Sequence, residues 1–151
     1  MPEHRKPLPD VTGESRPFWD GCRRHELLLQ RCRACGMTQY YPRGACASCW
    51  GVDLEWQPSA GRGTVYTFTV VHRSQAPGFQ DALPYVLAYV ELEEGVQVLT
   101  SLVGCEPAAV RIGLPVRVTF EDLTPEVAIP RFTPIRSEPA APAEEKERTR
   151  R

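Results

Sequence analysis

Four cysteines in two closely spaced pairs constrain this chain more than any other feature. Cys32 and Cys35 form the first Cys-x-x-Cys pair, Cys46 and Cys49 form the second, and ten residues separate the pairs. Two such pairs can supply four thiolates to one tetrahedral ion, which is the ligand set of a structural zinc ribbon. Gly36, directly after the first pair, suits the positive φ of a tight knuckle turn. Four thiolates leave no coordination position for water, so the pattern predicts a structural Zn²⁺. We therefore expect the function to depend on the rest of the chain.

The composition favours a metal site over a disulfide scaffold. The six cysteines stand in a chain of 151 residues with a formal net charge of −1. Residues 1–9 are polar, contain three prolines and do not form a secretory signal, so we expect a cytoplasmic protein with reduced thiols. Rubredoxin-type iron uses the same ligands and remains an alternative. No apolar run approaches the ~18 residues of a membrane span, so we expect no membrane partner.

The first third of the chain predicts a short helix followed by a small sheet. Ser15 is a candidate N-cap and Pro17 suits a first turn, so we expect an amphipathic helix over about 16–25. Its apolar edge comprises Phe18, Trp19 and Cys22. Strands over about 27–31 and 37–42 flank the first knuckle, and a short exit strand carries Trp56.

Beyond residue 61 the apolar pattern changes to period two, which is typical of strands. In the first strand Tyr66, Phe68 and Val70 share one face, and the opposite face comprises Val65, Thr67, Thr69 and Val71. Further strands are expected over 85–92 and 96–103, joined by a hairpin turn at residues 93–95, and over 116–120 and 127–132.

Two local signals complete this pattern. A short helix is expected over 106–111, and Pro130 marks the last strand as an edge strand. This order predicts a mainly β fold: a short N-terminal helix, a rubredoxin-like zinc ribbon and a five-stranded OB-fold barrel.

The same patterns divide the chain into four parts. Residues 1–13 are expected to be flexible, 14–60 to form the helical segment and ribbon, and 61–134 to form the OB-fold. Residues 135–151 combine charge with Pro and Ala and contain no aromatic residue, which predicts a disordered tail.

The remaining residues bear on two other functions, nucleic-acid binding and catalysis. OB-folds bind single strands through basic, aromatic-lined grooves, but residues 62–134 contain no lysine, so nucleic acid is not favoured. His72 is the only histidine of that segment, and no catalytic constellation is readable around it. Cys22 and Cys105 fall outside the paired cysteines and are expected to be buried or half-buried; His25 is the only candidate base near Cys22. The roles of Cys22, Cys105 and His72 stay open.

Four stretches carry a resemblance to a known family: residues 17–20, 29–36, 61–72 and 112–116. Together they resemble the zinc-ribbon/OB-fold family of acyl-CoA-associated proteins, long described as domain of unknown function 35. The resemblance covers about residues 17–134, and it implies the same order of helical segment, ribbon and barrel. Some members lack the cysteines, whereas this chain has all four.

The resemblance also implies a partner. Members of this family assemble with thiolase-like enzymes, including thiolases, acyltransferases and retro-aldolases of steroid degradation, and the partner carries the catalytic groups. This chain is then expected to be a non-catalytic subunit that supports such an enzyme, with an acyl-CoA thioester as a ligand of the complex. Phe18, Trp19 and Phe79 are the expected partner contacts. A free-standing acyl-CoA or nucleotide-binding module is the alternative.

Overall fold

The computed structural model describes residues 6–136, which form one short α-helix, a three-stranded sheet and a closed five-stranded barrel. The helix is α1 (Arg16–Arg23). In chain order the strands are β1 (Leu28–Cys32), β2 (Thr38–Gln39), β3 (Leu54–Pro58), β4 (Arg62–Val71), β5 (Tyr85–Leu92), β6 (Gln97–Leu102), β7 (Pro115–Thr124) and β8 (Val127–Pro134). The mainly β class is confirmed. Residues 1–5 and 137–151, which include most of the predicted tail, lie outside the described residues.

Helix α1 begins where it was predicted but ends earlier. Pro17 lies in the first turn, as expected. Ser15 is the N-cap residue, as predicted, but its Oγ accepts a hydrogen bond from the Thr12 N–H at 2.9 Å and caps no helical N–H. The helix ends at Arg23, two residues before the predicted end. His25 has a φ of 59°, and this left-handed conformation turns the chain into the ribbon.

The apolar edge of α1 faces inward. Phe18 and Cys22 are buried, with 3% and 0% of their surface exposed, and Trp19 is half-buried. The Phe18 ring meets the Trp19 ring edge-on at a centroid distance of 4.9 Å and the Tyr40 ring at 5.7 Å. Aromatic packing of this kind anchors the helix to the ribbon.

The ribbon sheet has the order β2-β1-β3, with both neighbours antiparallel to β1. The strand expected over 27–31 and the exit strand with Trp56 are present, whereas the strand expected over 37–42 is limited to Thr38–Gln39. Cys32 ends β1 opposite Leu54, the first residue of β3. The loops that hold both cysteine pairs therefore lie at the same end of this sheet.

The barrel has the order β4-β5-β6-β8-β7 and closes through pairing of β4 with β7. The edge-strand prediction for Pro130 is wrong, since β8 lies between β6 and β7. β8 pairs with β7 along its length but with β6 only at Leu102 and Phe132. Pro130 has no N–H to donate, and the barrel tolerates this because the pairing between β6 and β8 is sparse. The helix expected over 106–111 is a single 3₁₀ turn, Pro107–Ala109.

Strand β4 contains an irregularity that changes which residues share a face. The register with β5 shifts between Val65 and Thr67, so one extra residue is inserted at this point. Val65 is 1% exposed, while Tyr66 is 54% exposed. Past the shift, Phe68 is packed against the core. Val65 therefore shares the inner face with Phe68, and the predicted grouping of Tyr66 with Phe68 is wrong.

The buried apolar residues form one cluster that extends through helix, ribbon and barrel. Phe18 and Cys22 from α1, with Leu27 and Leu29 from the ribbon, join barrel residues such as Phe132. One continuous core therefore crosses the predicted boundary near residue 60, and the division of the chain into a ribbon part and a barrel part stays a prediction.

Candidate metal centre

The four cysteines identified from their spacing lie together at one end of the ribbon sheet. Their Sγ atoms all lie within 4.8 Å of one another. The Sγ atoms of Cys32 and Cys49 are 3.6 Å apart, and so are those of Cys35 and Cys46. A tetrahedron built on Zn–S bonds of ~2.3 Å has sulfur–sulfur edges of roughly 3.8 Å. The sulfur spacing therefore fits a tetrahedral four-thiolate site.

The two Cys-x-x-Cys turns share one backbone pattern. The residue four positions after the first cysteine donates its N–H to that cysteine's carbonyl: Gly36 to Cys32 at 2.8 Å, and Trp50 to Cys46 at 3.0 Å. The first cysteine of each pair also donates its own N–H to the carbonyl of the residue five positions after it, at 2.9 Å in the first turn and 2.8 Å in the second. Gly36 and Trp50 have φ values of 78° and 63°. Trp50 therefore occupies the left-handed position that glycine occupies in the first turn.

Two buried glutamines hold the loop between the cysteine pairs. Gln39 Nε2 donates to Gln30 Oε1 at 2.9 Å across the β1–β2 pair. Gln30 then accepts from the Arg43 N–H at 2.9 Å and donates to the Arg43 carbonyl at 3.0 Å. Gln39 Oε1 accepts from the Ala47 N–H at 2.9 Å, next to Cys46. This network fixes the backbone that leads to the second cysteine pair, and it was not predicted from the sequence.

The charge state of the thiols explains why the set needs a cation. Backbone N–H groups of Cys49 and Ser48 donate to Cys46 and lower the pKa of its thiol to about 7. The Met37 N–H lowers the pKa of Cys35, but loss of hydration and the neighbouring sulfurs outweigh it and raise that pKa to about 12. Four adjacent thiolates repel one another, so a divalent cation is what lets all of them be anionic. The donor set is soft, anionic and closed, which suits Zn²⁺ in a structural role.

The remaining cysteines and histidines do not form a nucleophile–base pair within residues 6–136. Burial raises the pKa of the Cys22 thiol to about 12, which opposes a nucleophilic role. His25 Nε2 lies 2.9 Å from Asp122 Oδ1, and its ring stacks on Phe120, so it joins the helix end to β7. His72 is exposed directly after β4, and Cys105 is half-exposed after β6.

The residues expected to contact a partner differ in exposure. Phe18 is 3% exposed and belongs to the core of this chain, which leaves its ring no free surface. Trp19 and Phe79 are half-buried. The two most exposed large apolar side chains of the described residues are Trp50 and Val52, at 80% and 79%. Neither residue was predicted from the sequence, although apolar residues just after the last cysteine, outside any periodic pattern, were an available signal.

The barrel aromatics do not form a single packed set. Tyr66 and Tyr89 are 54% and 41% exposed, whereas Phe68 and Tyr85 are half-buried.

Within residues 6–136, no helix is long and apolar enough to span a membrane.

Fold and site together define a zinc-ribbon/OB-fold protein. Family models for the rubredoxin-like zinc ribbon domain of ChsH2 and for its C-terminal OB-fold domain match residues 19–55 and 56–121. A DUF35 domain-containing scaffold protein of Methanocaldococcus jannaschii is 37% identical over 98 residues, which cover 64% of this chain and 69% of the relative. The chain belongs to this ChsH2/DUF35 family, and the resemblance seen in the sequence is confirmed.

Two relatives with enzyme names are longer than the matching region. A probable enoyl-CoA hydratase alpha subunit of Thermomonospora curvata is 34% identical over 144 residues, covering 95% of this chain and 43% of the relative. The benzoylsuccinyl-CoA thiolase subunit BbsA of Geobacter metallireducens is 36% identical over 74 residues, covering 49% of this chain and 48% of the relative. The chain thus spans less than half the length of either relative.

A solved structure of the Ltp2-ChsH2(DUF35) aldolase contains a chain with the same architecture. It superposes with a TM-score of 0.75 at 34% sequence identity, covering 83% of this chain and 98% of that chain. The likeness therefore extends over nearly the whole of the matched subunit.

Proposed function

We propose that this chain is a non-catalytic subunit that docks on a thiolase-like enzyme and supports its action on an acyl-CoA. The observation that carries the proposal is the four-cysteine ribbon, which presents Trp50 and Val52 at its surface. A closed metal site holds a shape and offers no open coordination position for a substrate. Large apolar side chains held on a rigid support are typical anchors of protein interfaces.

The relatives support a subunit over a free-standing module. One solved relative is named as an aldolase formed with Ltp2, another is named a thiolase subunit, and others are named scaffold proteins. The hydratase relative matches over less than half its length, so its activity is not transferred to this chain. A free-standing acyl-CoA or nucleotide-binding module is therefore not favoured.

The metal in this proposal is one structural Zn²⁺ held by Cys32, Cys35, Cys46 and Cys49. We place the protein in the cytoplasm, where thiols stay reduced and available to the ion. Metal analysis of the purified protein distinguishes zinc from iron.

Three surfaces contribute to docking in this proposal. Trp50 and Val52 on the ribbon form the main contact, while Trp19 on α1 and Phe79, between β4 and β5, are secondary contacts. Phe18 supports them from the core, so its substitution acts through folding and is a poor probe of the interface.

Co-expression with a thiolase-like enzyme from the same organism tests the proposal. The two proteins should elute together from a size-exclusion column. The double substitution Trp50→Ala and Val52→Ala should weaken the complex about tenfold or more, because anchors of this size commonly dominate an interface. Tyr66→Ala, which removes an exposed aromatic side chain from the barrel, is the matched control and should leave the affinity unchanged.

Two results would contradict the proposal. One is thiolase, aldolase or hydratase turnover by the isolated chain, with contaminating enzyme excluded. The other is a complex whose affinity is the same with and without Trp50 and Val52, measured on variants that retain their zinc.

A further inference from the structure

An arginine-lined groove lies on the outer surface of the barrel. It has a volume of about 1050 Å³ and is bordered by β4, β7, the end of β8 and the segment that follows β6. Four arginines line it: Arg62, Arg111, Arg117 and Arg136. Glu106 is the single carboxylate among the lining residues, so positive charge is in clear excess.

These arginines differ from most others in the described chain because they lack carboxylate partners. Arg33 and Arg131, for example, each lie within 3.0 Å of a glutamate oxygen. Within residues 6–136, no carboxylate oxygen lies within 4.0 Å of the four guanidinium groups in the groove. All four side chains are exposed, so their guanidinium groups are available to a ligand.

Two of the four arginines face each other across a strand pair. Arg62 of β4 lies directly opposite Arg117 of β7, at the seam where the barrel closes. Opposed residues of an antiparallel pair point to the same face, and like charges in this position destabilise the sheet. Val116, next to Arg117, is 0% exposed, which fixes the alternation and keeps Arg117 on the outer face. An anion bound between the two guanidinium groups would turn this repulsion into attraction.

We propose that this groove binds the phosphate-bearing nucleotide end of the acyl-CoA. The identity of the ligand as an acyl-CoA rests on the proposed function. The requirement for a ligand with several phosphates rests on the arginines of the groove. Phosphate groups match the forked donors of arginine, and several phosphates are needed to occupy several arginines. Ala109, Leu114 and Ile135 give the groove apolar surface for a base. A single-stranded nucleic acid fits less well, because the excess positive charge is confined to one groove in a segment without lysine.

Titration calorimetry of the full zinc-loaded chain with CoA tests the site. Arg62→Gln and Arg117→Gln should each weaken CoA binding about tenfold, since each removes a charged hydrogen-bond donor. Arg73→Gln is the matched control: this arginine is exposed on the same barrel and does not line the groove. Pantetheine, which lacks the nucleotide, should bind at least tenfold more weakly than CoA.

A second readout separates binding from folding. Without CoA, Arg62→Gln and Arg117→Gln should unfold at the same temperature as the wild type or a higher one, because each removes the cross-strand repulsion. Both variants should still form the complex with the thiolase-like enzyme, so failure of this site is distinguishable from failure of docking. Equal CoA affinity in all variants, or pantetheine binding as tight as CoA, would overturn the assignment. Oligonucleotide binding that exceeds CoA binding and depends on the same two arginines would also overturn it, in favour of nucleic acid.

Discussion

At the second metal knuckle a tryptophan occupies the backbone position that a glycine occupies in the first. Trp50 has a φ of 63° and is 80% exposed, whereas Gly36 has a φ of 78°. Holding a bulky residue in this conformation costs about 1–3 kcal/mol, and Trp50 recovers little of this by burial. A strained and exposed aromatic residue is understandable if its surface is covered in a complex.

Comparing two substitutions at this position tests the strain. In the zinc-loaded protein, Trp50→Gly should be more stable than Trp50→Ala by about 1 kcal/mol, because glycine adopts a positive φ without strain. Both should lose the same contact with the thiolase-like enzyme. Chemical denaturation measures the first effect and co-elution the second. Equal stability of the two variants would show that the knuckle does not strain residue 50.

How much of the site could be predicted depends on whether its signal is local in the sequence. The four cysteines were found because ligand spacing within a turn is local. The pairing of Gln30 with Gln39 was missed because it depends on the register of β1 with β2. The juxtaposition of Arg62 and Arg117 was missed for the same reason, since more than fifty residues separate them in the chain.

Among the elements, the ranges of the barrel strands were predicted better than the faces of the strands and the strands that lie beside them. β5 matches its expected range because both faces follow period two and a glycine turn ends it. The faces of β4 were assigned wrongly, since the extra residue near Tyr66 can be recognised only against the partner strand. The prediction of β8 as an edge strand was wrong because Pro130 forbids one N–H bond but does not show whether a neighbouring strand lies on that side.

Barrel closure gives a prediction at the scale of these elements. Gly63 pairs with Leu92 of β5 and with Val116 of β7, so it lies between two strands. A Cβ on Gly63 would overlap the carbonyl oxygen of Glu91, a backbone atom that cannot move without disturbing the β4–β5 ladder. Gly63→Ala should therefore cost about 3 kcal/mol in the free energy of unfolding, at the upper end for overpacking.

Gly95→Ala is the control for this substitution. Gly95 has a φ of 83°, and a Cβ there would meet nothing within 4 Å, so only the conformational cost of about 1–2 kcal/mol is expected. Urea denaturation of both variants compares the two costs. A Gly63→Ala protein no less stable than Gly95→Ala would mean that β4 and β5 can separate without loss of the barrel.

At the scale of the whole molecule, the metal and the hydrophobic core act together. Leu27 and Leu29 of the ribbon and Phe18 of α1 belong to the same buried cluster as the barrel residues. Structural zinc contributes about 10–16 kcal/mol to the folding of small zinc modules, while a whole domain is stable by only about 5–15 kcal/mol. Loss of the ion should therefore affect the barrel as well as the ribbon.

Removal of zinc tests this coupling. Purified protein should contain one zinc per chain, and Cys32→Ser together with Cys35→Ser should abolish it. Chelation should remove hydrogen-exchange protection from the knuckle amides of Gly36 and Trp50 first, because their bonds exist only within the closed turns. The unfolding temperature of the whole chain should then fall, since the exposed ribbon no longer covers part of the common core. Cys105→Ser, a change outside the four-cysteine set, should retain the zinc and the protection. A zinc-free chain with undiminished protection at both knuckles would contradict a structural role for the ion and, with it, the rigid docking surface inferred from the ribbon.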